Sequence, residues 1–317
     1  NIANERLISV HFIILFGLTF AQKELTIEDA VMQQYRKFYP ERITGFSWLP
    51  NTTNYVYLSA DRGTLYKSSP STQKEEVILN TKELNELLKA DLWGFYPIEF
   101  SNEHTFFMNN GTSFYEINLK ENTGKTLHSL EDNANSPLFE PKTKKIAYLI
   151  DNNVMMRDAN SKIIAVTKYN DPNIVSGQAI ARSEFGISGG LFWSPEGNYL
   201  AFYQKDETKV HGYPLININE TPGSLNLTKY PMAGQTSEKA RIGIFNSNSL
   251  KTVYIETQND EDGYLTNVSF TPDEKYLFVA EINRAQNHMW LNVYDTKTGA
   301  FVKTVLDETN ERWVEPE

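Results

Sequence analysis

The sequence predicts an all-β chain of repeated four-stranded sheets, a β-propeller, on three observations. The composition is rich in Tyr (17) and Phe (18), residues that suit pleated, half-buried surfaces. A short aromatic-x-proline hairpin signature recurs. Its copies lie 52, 39, 54 and 77 residues apart, around the 40–50 residues expected of a propeller blade.

The order of elements begins with Arg6, followed by the apolar run Leu7 to Leu18 and then Thr19-Phe20-Ala21. The run is too short to span a membrane comfortably, and small residues sit where a signal peptidase reads. Residues 1–21 are therefore expected to be a signal peptide cleaved after Ala21, the alternative being a buried apolar helix of the folded domain. No later stretch approaches the roughly 20 apolar residues of a membrane span. Residues 22–42 form a helical segment by pattern. Thr26 can cap a helix over Thr26–Phe38, Asp29 stands three residues on, Ile27, Val31 and Tyr35 share a face, and Pro40 ends it.

Residues 43–317 read as an incomplete propeller. Trp48-Leu49-Pro50 leads to Tyr55-Val56-Tyr57, and Phe139-Glu140-Pro141 leads to Ile146-Ala147-Tyr148. Trp193-Ser194-Pro195 leads to Leu200-Ala201-Phe202, and Phe270-Thr271-Pro272 to Leu277-Phe278-Val279. Phe100-Ser101-Asn102, a degenerate copy, leads to Phe107-Met108. Each copy is a strand ending in an aromatic residue and a turn-forming proline, then a polar turn, then an apolar strand. Asn51, Gly197 and Asp273 supply turn chemistry, while Lys142–Lys145 contains no Gly, Asn or Asp. A pair of β-sandwiches would not produce this fixed offset. The long last interval predicts an insertion within one blade, and Thr81–Leu92 reads as a short helix between blades. About five blades are visible. An open array of five leaves sheet faces uncovered, so the polypeptide is expected to continue past Glu317.

Composition removes several kinds of chemistry. Forty acidic against 30 basic residues, with no Lys/Arg cluster, argues against a nucleic-acid partner. The absence of cysteine excludes disulfides, thiolate metal sites and a cysteine nucleophile. His104, His128, His211 and His288 show no metal-ligand spacing and read as surface or strand-end residues; no metal and no cofactor is expected. Gly186-Ile187-Ser188-Gly189-Gly190 matches G-x-S-x-G, but Leu191–Pro195 reads as a strand where a nucleophile elbow needs a helix, so Ser188 is not expected to be catalytic. Arg182 and Glu184, two residues apart beside this glycine-rich approach, read on pattern alone as a surface ion pair of small energetic worth.

Several ordered stretches carry a resemblance: Arg182–Ile187, Phe192–Pro195, Leu200–Tyr203, Asp206-Glu207 with Val210, Tyr230–Gly234, Leu265–Val268, Asn283–Asn287 and Val314–Pro316. Together they resemble the propeller of the dipeptidyl peptidase IV and prolyl tripeptidyl peptidase branches of the prolyl oligopeptidase family. The resemblance implies an eight-bladed propeller covering an α/β-hydrolase domain with a Ser-Asp-His triad that this chain lacks. It implies a serine peptidase that removes Xaa-Pro dipeptides or Xaa-Xaa-Pro tripeptides from free peptide N-termini, in the periplasm, at the cell surface or outside the cell. The implied substrate-binding residues are Glu184, receiving the α-amino group, and Arg182, assisting it or pairing with Glu184. No catalytic residue falls within this chain. Two departures bear on register. A single glutamate, Ser183-Glu184, stands where the dipeptidyl branch often has two, and Asn109–Tyr115 offers no arginine for the substrate carbonyl. A tripeptide register is at least as well supported. Tyr213–Tyr230 occupies the place of an arm that helps subunits pair, or is an ordinary surface hairpin. The competing reading is a non-catalytic periplasmic propeller that binds peptides or a protein partner. The purified chain is expected to show neither fluorophosphonate labelling at Ser188 nor cleavage of Gly-Pro or Ala-Ala-Pro chromogenic substrates; labelling of Ser188 would restore it as a nucleophile.

Overall fold

A computed structural model describes residues 24–40, 42–72, 74–258 and 262–316; the expected signal segment 1–21 lies outside them. The described residues fall into two units, one up to Thr44 and one from Gly45 onward. In the first, α1 (Ile27–Met32) opens with a reciprocal capping box. Thr26 Oγ1 accepts the Asp29 amide at 3.0 Å, and the Asp29 carboxylate accepts the Thr26 amide at 3.3 Å. The helix stops well before Phe38, and residues 33–39 form turns. Its apolar stripe explains the early end. Ile27 and Val31 stay exposed, so little beyond the cap supports a helix too short to be stable by propensity.

The second unit is a succession of antiparallel meanders. The first contains β1 (Thr44–Trp48), β2 (Tyr55–Leu58), β3 (Thr64–Ser68) and β4 (Glu76–Asn80). The second contains β5 (Ile98–Asn102), β6 (Thr105–Asn110), β7 (Ser113–Asn118) and β8 (Thr123–Ser129). The third contains β9 (Asn135–Glu140), β10 (Lys145–Ile150), β11 (Asn153–Arg157) and β12 (Ile163–Ala165). The fourth is built from β13 (Ile174–Ser176), β14 (Leu191–Trp193), β15 (Tyr199–Asp206), β18 (Lys239–Asn246) and β19 (Lys251–Tyr254). A separate hairpin, β16 (Gly212–Asn217) with β17 (Ser224–Lys229), springs from its middle and is the insertion that the 77-residue interval predicts. The fifth contains β20 (Tyr264–Phe270), β21 (Tyr276–Ile282), β22 (His288–Asp295) and β23 (Phe301–Thr309).

The repeated signature is the hairpin between the first two strands of a blade. Leu49, Ser194 and Thr271 each donate their amide to the carbonyl five residues on, at 2.9–3.0 Å. Phe139, Trp193 and Phe270 pair with the residue seven positions later, whereas Phe100 pairs with Phe106, so the degenerate copy makes a hairpin one residue shorter. The left-handed residue comes one place after the proline at Asn51 (φ 59°), two places after it at Gly197 (φ 67°) and at Glu274 (φ 57°), not Asp273, and three places after it at Lys144 (φ 55°). The inter-blade helix α2 (Thr81–Leu88) is capped by Asn80 and closed by left-handed Lys89, four residues short of the expected Leu92.

Strand periodicity sends alternate residues to opposite neighbours. On β10, Ile146 and Tyr148 pack with Phe114 of the second blade, while Ala147 and Leu149 pack with Leu200 and Phe202 of the fourth. On β15, Leu200 and Phe202 face the third blade, whereas Tyr199, Ala201 and Tyr203 face Leu265, Leu277 and Val279 of the fifth. These strands are therefore buried on both sides and read as unbroken apolar runs. Each such Leu or Phe is worth roughly 1.5–3 kcal/mol of burial. His128 stands at a strand end, as the sequence reading allows, but is not a surface residue, being 1% exposed. It sits in the seam between the second and third blades, with Nδ1 2.9 Å from Ser161 Oγ and Nε2 2.8 Å from the Lys144 carbonyl. Burial pushes its pKa down, so it lies there as neutral imidazole.

Polar contacts join the seams at the hairpin end of the sheets. Lys145 Nζ reaches Gly197 O at 3.1 Å and Ser247 Oγ at 2.7 Å. Glu274 accepts from Ser194 Oγ, the Glu196 amide and Asn198 Nδ2 of the preceding blade. Burial would raise its pKa, but the hydrogen bonds from Ser194, Asn198 and the Glu196 amide outweigh burial and hold it below the usual 4.5. A lowered folded value means stability that is present above 4.5 and disappears as the pH falls through the lower value. Urea unfolding at a series of pH values is expected to show Glu274→Gln less stable than the parent by about 1–2 kcal/mol at neutral pH. The gap should close as the pH falls below 4.5 through the lowered value. A gap independent of pH would show that the charge contributes nothing.

Candidate functional site

The candidate residues lie on an excursion from the fourth blade. β13 and β14 both pair along the same edge of β15, Ile174–Ser176 opposite Gln204–Asp206 and Leu191–Trp193 opposite Leu200–Phe202. The chain between them has no place in the sheet. Tyr203, left between the two pairings, closes the neck: the Gly177 amide donates to its carbonyl at 2.7 Å, and its amide donates to the Gly190 carbonyl at 3.0 Å. Both neck glycines are required. Gly177 has φ +78°, and a Cβ on Gly190 would collide with the Gln178 carbonyl. Ile180 (1% exposed) and Ile187 (5%) sink into the core shared by the fourth and fifth blades and anchor the two limbs. Residues 181–186 project between these anchors.

The tip is a tight 3₁₀ turn over Ala181–Ser183 with left-handed dihedrals at all three residues, φ 51°, 55° and 64°. Each non-glycine residue in this region costs about 1–2 kcal/mol, so the turn persists only because its surroundings impose it. The Ser183 and Glu184 amides return to the Ile180 and Ala181 carbonyls, at 3.0 Å each. The Ala181 amide donates to Glu238 Oε1 at 2.8 Å. Arg182 Nη2 donates to the Lys229 carbonyl at 2.6 Å, and its guanidinium lies 4.9 Å from the Tyr230 ring centre. Phe185 packs edge-on against Tyr264 with ring centres 5.1 Å apart, and Thr266 Oγ1 donates to the Phe185 carbonyl at 3.1 Å.

These contacts enclose a cleft of about 260 Å³ whose lining includes Arg182, Glu184, Tyr230, Glu238, Tyr264 and Arg284. On its far wall, Arg284 Nη1 donates to Tyr264 Oη at 2.7 Å. Glu184 is exposed and lines the cleft, and among the described residues its carboxylate has no hydrogen-bond or ion-pair partner. Arg182 does not pair with it. The guanidinium is turned toward the base of the inserted hairpin instead. An unneutralised carboxylate at the mouth of a partly enclosed cleft can receive a cationic group through charge-assisted hydrogen bonds.

Ser188 lies exposed on the return limb, and β14, not a helix, follows it. Among the described residues, no group of three or more His, Asp or Glu side chains is placed to hold a metal ion. No described helix is long and apolar enough to cross a membrane. Sequence reasoning missed Glu238 and the aromatic walls Tyr230 and Tyr264. Glu238 sits in Thr236-Ser237-Glu238-Lys239, which reads as a solvated loop, and nothing local signals that its carboxylate reaches back 57 residues to Ala181.

Consecutive antiparallel meanders, the fourth carrying an excursion between its first two paired segments, define a β-propeller domain with a cleft beside that excursion. The family profile described as "Dipeptidyl peptidase IV (DPP IV) N-terminal region" matches residues 100–317, well over half of the chain. The chain belongs to that family. A Tuber melanosporum protein named for dipeptidyl-aminopeptidase B is 27% identical over 194 residues, a stretch covering 53% of this chain and 21% of that protein. Dipeptidyl-aminopeptidase B of Aspergillus niger is 23% identical over 201 residues, covering 56% of this chain and 22% of the relative. A crystal structure of a candidate dipeptidyl aminopeptidase IV from Bacteroides ovatus superposes with a TM-score of 0.77 at 34% identity, covering 87% of this chain and 38% of that one. Porphyromonas gingivalis dipeptidyl peptidase 4 shares the fold, with a TM-score of 0.72 at 21% identity over 93% of this chain and 44% of its own. The chain thus spans about a fifth of the fungal relatives and less than half of the bacterial structures.

Gly190→Ala is expected to lower stability by about 1–3 kcal/mol through the forced clash at the neck. It should also speed proteolysis within residues 178–189, read by denaturant midpoint and by limited digestion. An unchanged midpoint and digestion rate would mean that the neck tolerates a side chain.

Proposed function

We propose that this chain is the substrate-gating propeller of an exported serine exopeptidase, and that Glu184 receives the free α-ammonium of the peptide. The observation that carries this is the placement of Glu184. A costly left-handed turn presents to a cleft a carboxylate that has no partner among the described residues. An α-ammonium with a pKa near 8 is charged at neutral pH, whereas the amide nitrogen of an internal segment never is. A carboxylate fixed in this place therefore selects chain ends. Its distance from the nucleophile of a hydrolase domain, supplied by the rest of the full-length protein, would set how many residues are removed, two or three. The absence of arginine from Asn109–Tyr115 favours the tripeptide.

Export rests on the apolar segment that follows Arg6. The β16–β17 hairpin is the proposed pairing surface for a second subunit. Ile216 (74% exposed), Ile218 (84%), Leu225 (63%) and Leu227 (63%) stand out from it and are covered by no other described part of the chain.

Kinetics of the full-length enzyme test the proposal. Glu184→Gln is expected to raise KM for unblocked Gly-Pro and Ala-Ala-Pro substrates and to lower kcat/KM. A lost charge-assisted bond of about 1.5–3 kcal/mol corresponds to roughly ten- to a hundredfold. N-acetylated versions should be poor substrates of the parent enzyme, and the substitution should affect them little. Unchanged kinetics in Glu184→Gln would remove the residue from the site.

A further inference from the structure

We infer that Glu238 is a positioning residue of this site, fixing the turn from which Glu184 enters the cleft; the inference rests on Glu184 being the ammonium anchor. Glu238 lies in the loop between the inserted hairpin and β18, and its side chain is only 10% exposed. Oε1 accepts the Ala181 amide at 2.8 Å. Oε2 is buried, makes no hydrogen bond among the described residues, and faces Lys205 Nζ at 3.7 Å. Lys205 is also paired with Glu207 at 2.9 Å, and these two side chains are 12% and 9% exposed. One ammonium thus stands between two carboxylates.

The Ala181 amide needs this external acceptor. The Ser183 and Glu184 amides are satisfied inside the turn, but the Ala181 amide points out of it to Glu238, at the first of the turn's three left-handed residues. A hydrogen bond to an ionised acceptor in a nearly dry pocket is strong and directional. It holds Ala181 in its unfavourable dihedral and so sets where Glu184, three residues on, stands. Lys205 holds Glu238 in turn, and β15 holds Lys205, so the chain of contacts runs from the rigid sheet to the anchor.

The test uses the full-length enzyme with unblocked Gly-Pro and Ala-Ala-Pro p-nitroanilides. Glu238→Ala is expected to raise KM about tenfold with kcat nearly unchanged, the signature of lost substrate binding. Glu238→Gln, which keeps an oxygen for the Ala181 amide, should recover most of the loss. In the double variant Glu184→Gln/Glu238→Ala, KM should be no higher than in Glu184→Gln alone, because Glu238 acts through Glu184. A KM within about twofold of the parent in Glu238→Ala, or additive losses in the double variant, would overturn the assignment. Should Glu238→Ala not fold, Glu238→Asp keeps a charge opposite Lys205 but withdraws it from Ala181. The same rise in KM is expected there, and an unchanged KM overturns the inference. If Glu184→Gln lowers kcat/KM while the Glu238 variants do not, only the positioning role falls. If neither does, the amine anchor falls with it.

Discussion

The site depends on one shared edge. β15 offers a single row of main-chain donors and acceptors on its first-strand side, and two separate segments, β13 and β14, take its two halves. The chain joining them must leave the sheet, and it leaves through a gap one residue wide that the Tyr203 amide and carbonyl close from within. Backbone polar groups at such a break would otherwise be stranded. Two glycines, two buried isoleucines and one residue of β15 thus turn a sheet defect into a loop with fixed ends. A carboxylate carried by a free loop would be a solvated charge; carried here, it has an address.

The same sheet explains how the blades hold together. Because alternate residues of β10 and β15 serve opposite neighbours, the third and fourth blades share their cores with the blades on either side. Stability is distributed along the seams, and the polar contacts from Lys145 and Glu274 repeat that logic at the hairpin end. The inserted hairpin is the exception. Its strands pair only with each other and bury almost nothing, so its apolar side chains have no role in the fold of the described chain.

The hairpin repeat was legible in the sequence because its cause is local. An aromatic residue, a proline and a polar turn close a strand into a hairpin wherever they occur here, and four copies at one strand offset leave little choice of topology. The cap of α1 was legible for the same reason, but its end was not, since helix length depends on what packs against the apolar stripe. His128 looked like a surface residue because nothing nearby in sequence shows that Phe139 and Lys144 cover it. At the site, Glu184 could be named from the resemblance alone. The direction of Arg182, the left-handed turn and the support from Glu238 could not, because each depends on a partner tens of residues away.

Fixing both ends of the excursion on β15 has an evolutionary corollary. Insertions or deletions between Gln178 and Gly189 leave the register of β13 and β14 untouched, because each strand is already paired before the loop begins and after it ends. Loop length is thereby freed from blade folding. A lineage could lengthen or shorten this finger without redesigning the architecture beneath it.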